Sequence, residues 1–147
     1  MLAAIRKRYP NAQIDWLVQN SFTQAIEHHP ALNRAIPFDR KTFGTQCKKF
    51  RFGPVLKWLK ALKKSKYDLV IDAQGLARSG FFAWSTRAPI RAGYRDAQEL
   101  AWLFLTDRVE APRELHTVDR MLKLAESIGA PIDPPDMRLY AGQDELS

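Results

Sequence analysis

Apolar positions along this chain alternate between a helical period and short continuous runs, which predicts helices alternating with brief strands. Leu2, Ile5 and Tyr9 share one face of a helix over 2–9, closed by Pro10-Asn11. IDWLVQ (14–19) reads as a strand, and a helix is expected from a Ser21 cap through His28, stopped by Pro30. RAIPF (34–38) reads as a second strand whose proline favours an edge or an end. From Gly53-Pro54 to Lys64, Val55, Leu59 and Leu62 form the apolar stripe of a helix, with Lys57, Lys60 and Lys64 opposite.

YDLVIDA (67–73) is the clearest strand, its interior apolar without interruption as in a strand covered on both faces. QGLARSGFFAWST then enters a helix, APIRAGY (88–94) gives a strand, and 96–105 is helical or irregular. RVEA (108–111) is a candidate strand. Residues 115–128 form the last clear helix, with Leu115, Val118, Leu122 and Ala125 inward, Met121 and Ile128 beside them, and Gly129 as its stop. RLYA (138–141) could add one more strand. The alternation predicts an α/β fold, an open and mostly parallel sheet with helices on both faces, as one domain over 1–147. A parallel sheet normally opens with a strand and this chain opens inside a helix, so either a first strand is expected upstream of Met1 or the fold is a small one that begins with a helix.

Composition narrows this picture. The 147 residues carry 23 Lys+Arg against 16 Asp+Glu, a net charge of +7, and 46% hydrophobic residues, which fits a globular domain and excludes disorder. A single cysteine, Cys47, excludes an internal disulfide and a cysteine-based zinc site and fits a cytosolic setting. The longest apolar runs, Leu100 to Leu105 and Phe81 to Trp84, fall far short of the roughly 18 residues of a membrane span. MLAAIRKRYP is too short an apolar start for a signal peptide.

The densest chemical signal is DAQG at 72–75. Asp72 falls at the carboxyl end of the best strand, where open α/β sheets bind ligands, and Gln74-Gly75 opens a helix whose free N–H groups favour an anion. The alternative is a tight turn with Asp72 capping that helix. No G-x-G-x-x-G and no P-loop is present. Ten of the 23 cations fall between Arg40 and Lys66 with no acidic residue among them. Lys57, Lys60 and Lys64 read as a solvated helix face. Arg40, Lys41, Lys48, Lys49 and Arg51 are expected in a loop with Phe43, Phe50 and Phe52, suited to an anionic partner. Arg78, one helical turn beyond Gly75, is the best single candidate among Arg78, Arg87, Arg91 and Arg95 for bidentate anion recognition. His28 and His29 read as a frayed helix end, and His116 is either a site residue or structural. Phe81, Phe82, Trp84, Trp102 and Phe104 read as core. No histidine or cysteine spacing suits a metal.

YDLVIDAQGLARSG (67–80) resembles the hallmark of the ADP-heptose:lipopolysaccharide heptosyltransferases. IDWLVQ followed by F-x-x-x-I-x-x-H-P-A, then AIPFDRK, RAPIRAGYRDAQE and HTVDRMLKLAESIG agree with that family in order, across nearly the whole chain. The resemblance implies two Rossmann-like domains in the GT-B arrangement, the acceptor-side one represented here. It implies an inverting transfer of heptose from ADP-heptose to a Kdo-lipid A acceptor at the cytosolic face of the inner membrane, without cofactor or metal. Asp72, Gln74 and Gly75 match the motif directly, and Arg40, Lys41, Arg78, Arg95 and His116 are the expected acceptor contacts. The family's catalytic aspartate, on an S-x-G-D-type loop, would lie before Met1, and its nucleotide-sugar domain after Ser147. No nucleic acid is expected as a partner. A basic nucleic-acid-binding module is the alternative, as is a same-family transferase with another sugar donor.

Overall fold

The computed structural model describes residues 1–131, so the expected strand at 138–141 lies outside the described residues. The elements are α1 (Leu2–Arg8), β1 (Asp15–Gln19), α2 (Thr23–Ile26), β2 (Arg34–Phe38), α3 (Arg40–Lys48), α4 (Phe52–Lys64), β3 (Leu69–Asp72), α5 (Ala77–Ser85), β4 (Ile90–Tyr94), β5 (Asp107–Val109) and α6 (Thr117–Ser127). Short 3-10 turns occupy Asn20–Phe22 and Ala101–Phe104.

Every ladder is parallel. β1 pairs with β2 from Asp15↔Arg34 to Gln19↔Phe38; β3 pairs with β4 from Leu69↔Ile90 to Asp72↔Gly93; β5 joins the outer edge of β4. The α/β parallel architecture read from the sequence is therefore present, as a two-stranded and a three-stranded ladder rather than one continuous sheet. Two sets of contacts hold the ladders side by side. The Tyr67 hydroxyl, just before β3, donates to Asp15 Oδ2 at 2.7 Å, and the Arg34 guanidinium donates to the same oxygen at 2.6 Å. Ile14 and Ile71 pack against one cluster formed by Ala4 and Ile5 of α1 with Ala125 of α6 and Ala130.

Helices cover both faces. Leu124 of α6, fully buried, packs with Tyr94 and Ala111 over β4 on one side. On the other, Phe38, Phe43, Trp58 and Phe82 bring the end of β2 together with α3, α4 and α5, with ring centroids 4.9–5.9 Å apart. A Cβ on Gly93 would sit 2.7 Å from Leu105 Cδ1, so the absent side chain is what lets the segment after Ala101–Phe104 close on β4.

Two elements differ from expectation. The helix expected from Ser21 to His28 is reduced to the four residues of α2: Ser21 sits inside the preceding 3-10 turn, and Pro30 disfavours helical backbone at His29. The basic segment expected as a loop is largely helical: Asp39 accepts the Lys41 and Thr42 amides and starts α3. Phe82 is core as read, whereas Trp84 reaches the surface beneath the Arg87 guanidinium.

Candidate functional site

Parallel strands send all their carboxyl ends to one edge. Arg78 and Ser79, adjacent in α5, show that both ladders share that edge: the Arg78 Cζ lies 5.7 Å from the ring of Phe38 at the end of β2, and the Ser79 hydroxyl donates to Asp72 at the end of β3. The candidate site is this edge.

At the exit of β2, Asp39 Oδ1 accepts the amides of Lys41 and Thr42 at 2.9 and 3.0 Å, and its Oδ2 accepts the Thr42 hydroxyl at 2.6 Å. The Thr42 hydroxyl and these two amides hold the Asp39 carboxyl below its ordinary range. Arg40 and Lys41 follow in the first turn of α3, exposed, and their side chains form no hydrogen bond or ion pair among the described residues. Arg78 reaches the same exit through Phe38. The structure thus brings Arg40, Lys41 and Arg78 to one corner.

The DAQG segment is a closed turn ahead of α5, whose N-cap is Leu76, rather than the first turn of that helix. Asp72 is 4% exposed; its Oδ1 accepts the Gln74 and Gly75 amides at 3.0 Å each, and its Oδ2 accepts the Ser79 hydroxyl at 3.0 Å. The Leu76 amide donates to Ser79 Oγ at 3.1 Å, and the Ala77 amide to Glu99 Oε2 at 3.1 Å. The expectation that this turn offers free amides to a ligand is corrected: the carboxylates of Asp72 and Glu99 and the Ser79 hydroxyl already fill them. Gly75 adopts φ +68 and its carbonyl accepts the Gln98 amide at 2.8 Å, locking the turn to the segment after β4. The Gln74 side chain is exposed on this edge.

The exits of β4 and β5 are closed by ion pairs. Arg113 Nε donates to Asp96 Oδ2 and Arg120 Nη2 to Asp96 Oδ1, both at 2.7 Å, and Arg120 lies over the Tyr94 ring at 4.1 Å. Partial burial pushes the Asp96 carboxyl up, but the Arg113 hydrogen bond and the two positive charges outweigh it and hold the group low. Arg95 pairs with Glu110 at the rim of a 410 Å³ groove that Ala111 and Pro112 complete. Arg95 is therefore on the edge but already neutralised. His116 is the N-cap of α6, its Nδ1 accepting the Val118 amide at 3.3 Å, and among the described residues no hydrogen bond or ion pair joins it to the DAQG turn. Asp96, Arg113 and Arg120 were not singled out from the sequence, since charges spread over 25 positions betray no pairing until β4 and α6 are docked. Among the described residues no group of three His, Cys, Asp or Glu is placed to hold a metal ion.

The family model of glycosyltransferase family 9 (heptosyltransferase) matches residues 55–145. The lipopolysaccharide core heptosyltransferase OpsX of Haemophilus influenzae is 27% identical over 143 residues, 96% of this chain and 39% of its own. Lipopolysaccharide heptosyltransferase 1 of Pseudomonas aeruginosa is 34% identical over 131 residues, 84% of this chain and 36% of its own. Among solved structures, E. coli heptosyltransferase WaaC with ADP-2-deoxy-2-fluoro heptose superposes with a TM-score of 0.71 at 28% identity, covering 92% of this chain and 45% of that one. The chain spans less than half the length of each of these relatives.

Proposed function

This chain belongs to glycosyltransferase family 9, the heptosyltransferases, and from that membership we propose that it forms the acceptor-side domain of an inverting GT-B enzyme. Its reaction transfers heptose from ADP-heptose to the Kdo-lipid A inner core of lipopolysaccharide. The acceptor hydroxyl attacks the anomeric carbon in line, a carboxylate takes its proton, and ADP leaves. The enzyme works as a peripheral protein at the cytosolic face of the inner membrane, where this acceptor is anchored.

The observation that carries the reading is the corner of Arg40, Lys41 and Arg78. A helix N-terminus favours acidic residues in its first turn, so Arg40 and Lys41 oppose the dipole of α3. Three cations that join no ion pair among the described residues, at the carboxyl edge of a parallel α/β fold, suit an acceptor bearing phosphates and carboxylates. The exposed Gln74 amide group, on the same edge, supplies a neutral donor and acceptor for a sugar hydroxyl. Proton transfer is not assigned to this edge, because Asp39, Asp72, Asp96 and Glu99 are all engaged by amides, hydroxyls or guanidinium groups.

Calorimetric titration with a deacylated, water-soluble Kdo-lipid A headgroup tests the reading. The R40E/K41E variant is expected to bind at least about tenfold more weakly, and R78A about fivefold more weakly, given the worth of a charge-assisted contact. Binding that is unchanged in both variants overturns the assignment. Turnover of ADP-heptose by the 147-residue chain overturns the restriction to acceptor binding.

A further inference from the structure

The hairpin of α3 and α4 has an inner face that is core and an outer face that is not. Phe43 and Trp58 anchor it, packing on Phe38 and Phe82. Outward, Phe50 is 82% exposed, Phe52 45% and Leu56 53%, and the two phenyl rings meet edge to face with centroids 6.1 Å apart.

The backbone at the tip makes this exposure notable. α3 ends in a Schellman motif: the Phe50 amide donates to the Cys47 carbonyl at 3.2 Å and the Arg51 amide to the Gln46 carbonyl at 2.9 Å. α6 ends in the same motif, with Gly129 donating to Glu126 at 2.8 Å and Ala130 to Ala125 at 3.0 Å. The left-handed position is filled by Gly129 (φ +79) in α6 and by Phe50 (φ 53) in α3. Glycine suits that conformation without strain; phenylalanine is among the residues least suited to it. The fold therefore carries local strain to hold a large apolar ring in water.

Charge surrounds this apolar tip. Ten cations and no acidic residue lie between Arg40 and Lys66, and none of those ten joins an ion pair among the described residues. On α4, Phe52 and Leu56 stand one turn apart, and helical spacing continues their stripe into Lys60 and Lys63. The arrangement is apolar at the apex and cationic behind it. At 13 residues α4 is about 20 Å long by the 1.5 Å rise, too short to cross a bilayer and suited to lie in its surface.

We infer that the α3–α4 hairpin is a bilayer-docking element that inserts Phe50, Phe52 and Leu56 between the headgroups of an anionic lipid surface, with its lysines and arginines at phosphate level. The inference rests on the reading that the acceptor is membrane-anchored, and it names the surface that brings the Arg40, Lys41 and Arg78 corner to that acceptor. Each cation near such a surface adds about fivefold in partitioning, screened by salt.

The test uses the 147-residue chain and vesicles of phosphatidylglycerol and phosphatidylethanolamine that contain no saccharide, which separates docking from acceptor recognition. Sedimentation should show binding that weakens with salt, falls about 30-fold in F50S/F52S from lost apolar burial, and is unchanged in L103S, an exposed leucine outside the hairpin. An F50W variant should be quenched by brominated acyl chains; this depth readout stands even if the double serine variant fails to fold. F50S/F52S should keep the soluble headgroup affinity, so failure of docking and failure of the acceptor reading give different results. Wild-type binding by F50S/F52S, or absence of quenching in F50W, overturns the inference. Single-stranded RNA that displaces the chain from vesicles and binds it more tightly also overturns it, in favour of a nucleic-acid surface.

Discussion

Replacing Asp72 separates a carboxylate that builds the turn from a turn that exists to hold a ligand. The Asp72 carboxylate receives two amides and one hydroxyl, each at 3.0 Å, in a site 4% exposed. Hydrogen bonds to a charged acceptor contribute about 1.5–3 kcal/mol each when only one partner is removed. Gln74 is at the surface and rehydrates in D72A, whereas the buried Gly75 amide loses its acceptor outright. The sum for D72A is therefore about 3 kcal/mol, a large share of a domain stability of roughly 5–15 kcal/mol. Asn keeps Oδ1 for both amides and can donate from Nδ2 to Ser79 Oγ, so D72N loses only charge assistance, about 1 kcal/mol. Urea denaturation followed by far-ultraviolet circular dichroism reads both values, with headgroup titration alongside. If the amides of 74 and 75 served an external anion, removing Asp72 would free them: D72A would then bind the headgroup more tightly at little cost in stability. Tighter binding, or D72A within about 0.5 kcal/mol of wild type, refutes the turn-building role.

Four further outcomes follow from the geometry. Burial pushes the Asp15 carboxyl up, but hydrogen bonds from Tyr67, Gln13 and Arg34 outweigh it and hold the group below its usual 3.8; a depressed folded-state value gives stability that is full above the unfolded value and is lost as pH falls through the folded one, so D15N should flatten the acid-unfolding curve below about pH 4. Y67F removes one of those donors and a tie between the two ladders, and should cost about 1 kcal/mol at pH 7 by urea denaturation. L124A empties a position with no exposure beneath α6 and should cost about 3–4 kcal/mol, with a loss under 1 kcal/mol showing that the α6 layer repacks freely. H116A should cost about 1 kcal/mol through its cap and leave headgroup affinity unchanged; a weakened affinity would return His116 to the site.

The elements legible in the sequence were those whose burial repeats within one segment. β3 and α4 announce themselves because LVI and the Val55, Leu59, Leu62 stripe are local patterns of water exclusion, and the chain buries Val55 and Leu62 as read. α3 was not legible: its mean polarity is high, it buries no residue completely, and its start depends on one carboxylate, Asp39, reaching two amides. Leu124 was passed over because it stands beside the stripe of Leu122 and Ala125, and only the docking of α6 across β4 makes that wider face apolar. At the site the residue types were readable and their occupancy was not. DAQG admits both a capped turn and an anion cradle, and the choice between them is set by Ser79 and Glu99 arriving from different turns to take the remaining hydrogen bonds.

Occupancy also divides the ligand edge in two. At the exits of β4 and β5, Arg95, Arg113 and Arg120 meet Glu110 and Asp96, so two of their three positive charges are compensated within the protein. At the exit of β2, Arg40, Lys41 and Arg78 join no ion pair among the described residues, and the adjacent carboxylate, Asp39, is taken up by the first turn of α3. Positive potential therefore concentrates on the α3 side of the edge. α3 also carries the chain into Phe50, so a single helix joins the uncompensated corner to the apolar tip. A ligand that is anionic at one end and anchored in lipid at the other would meet both surfaces of that helix at once, and a water-soluble anion only the first.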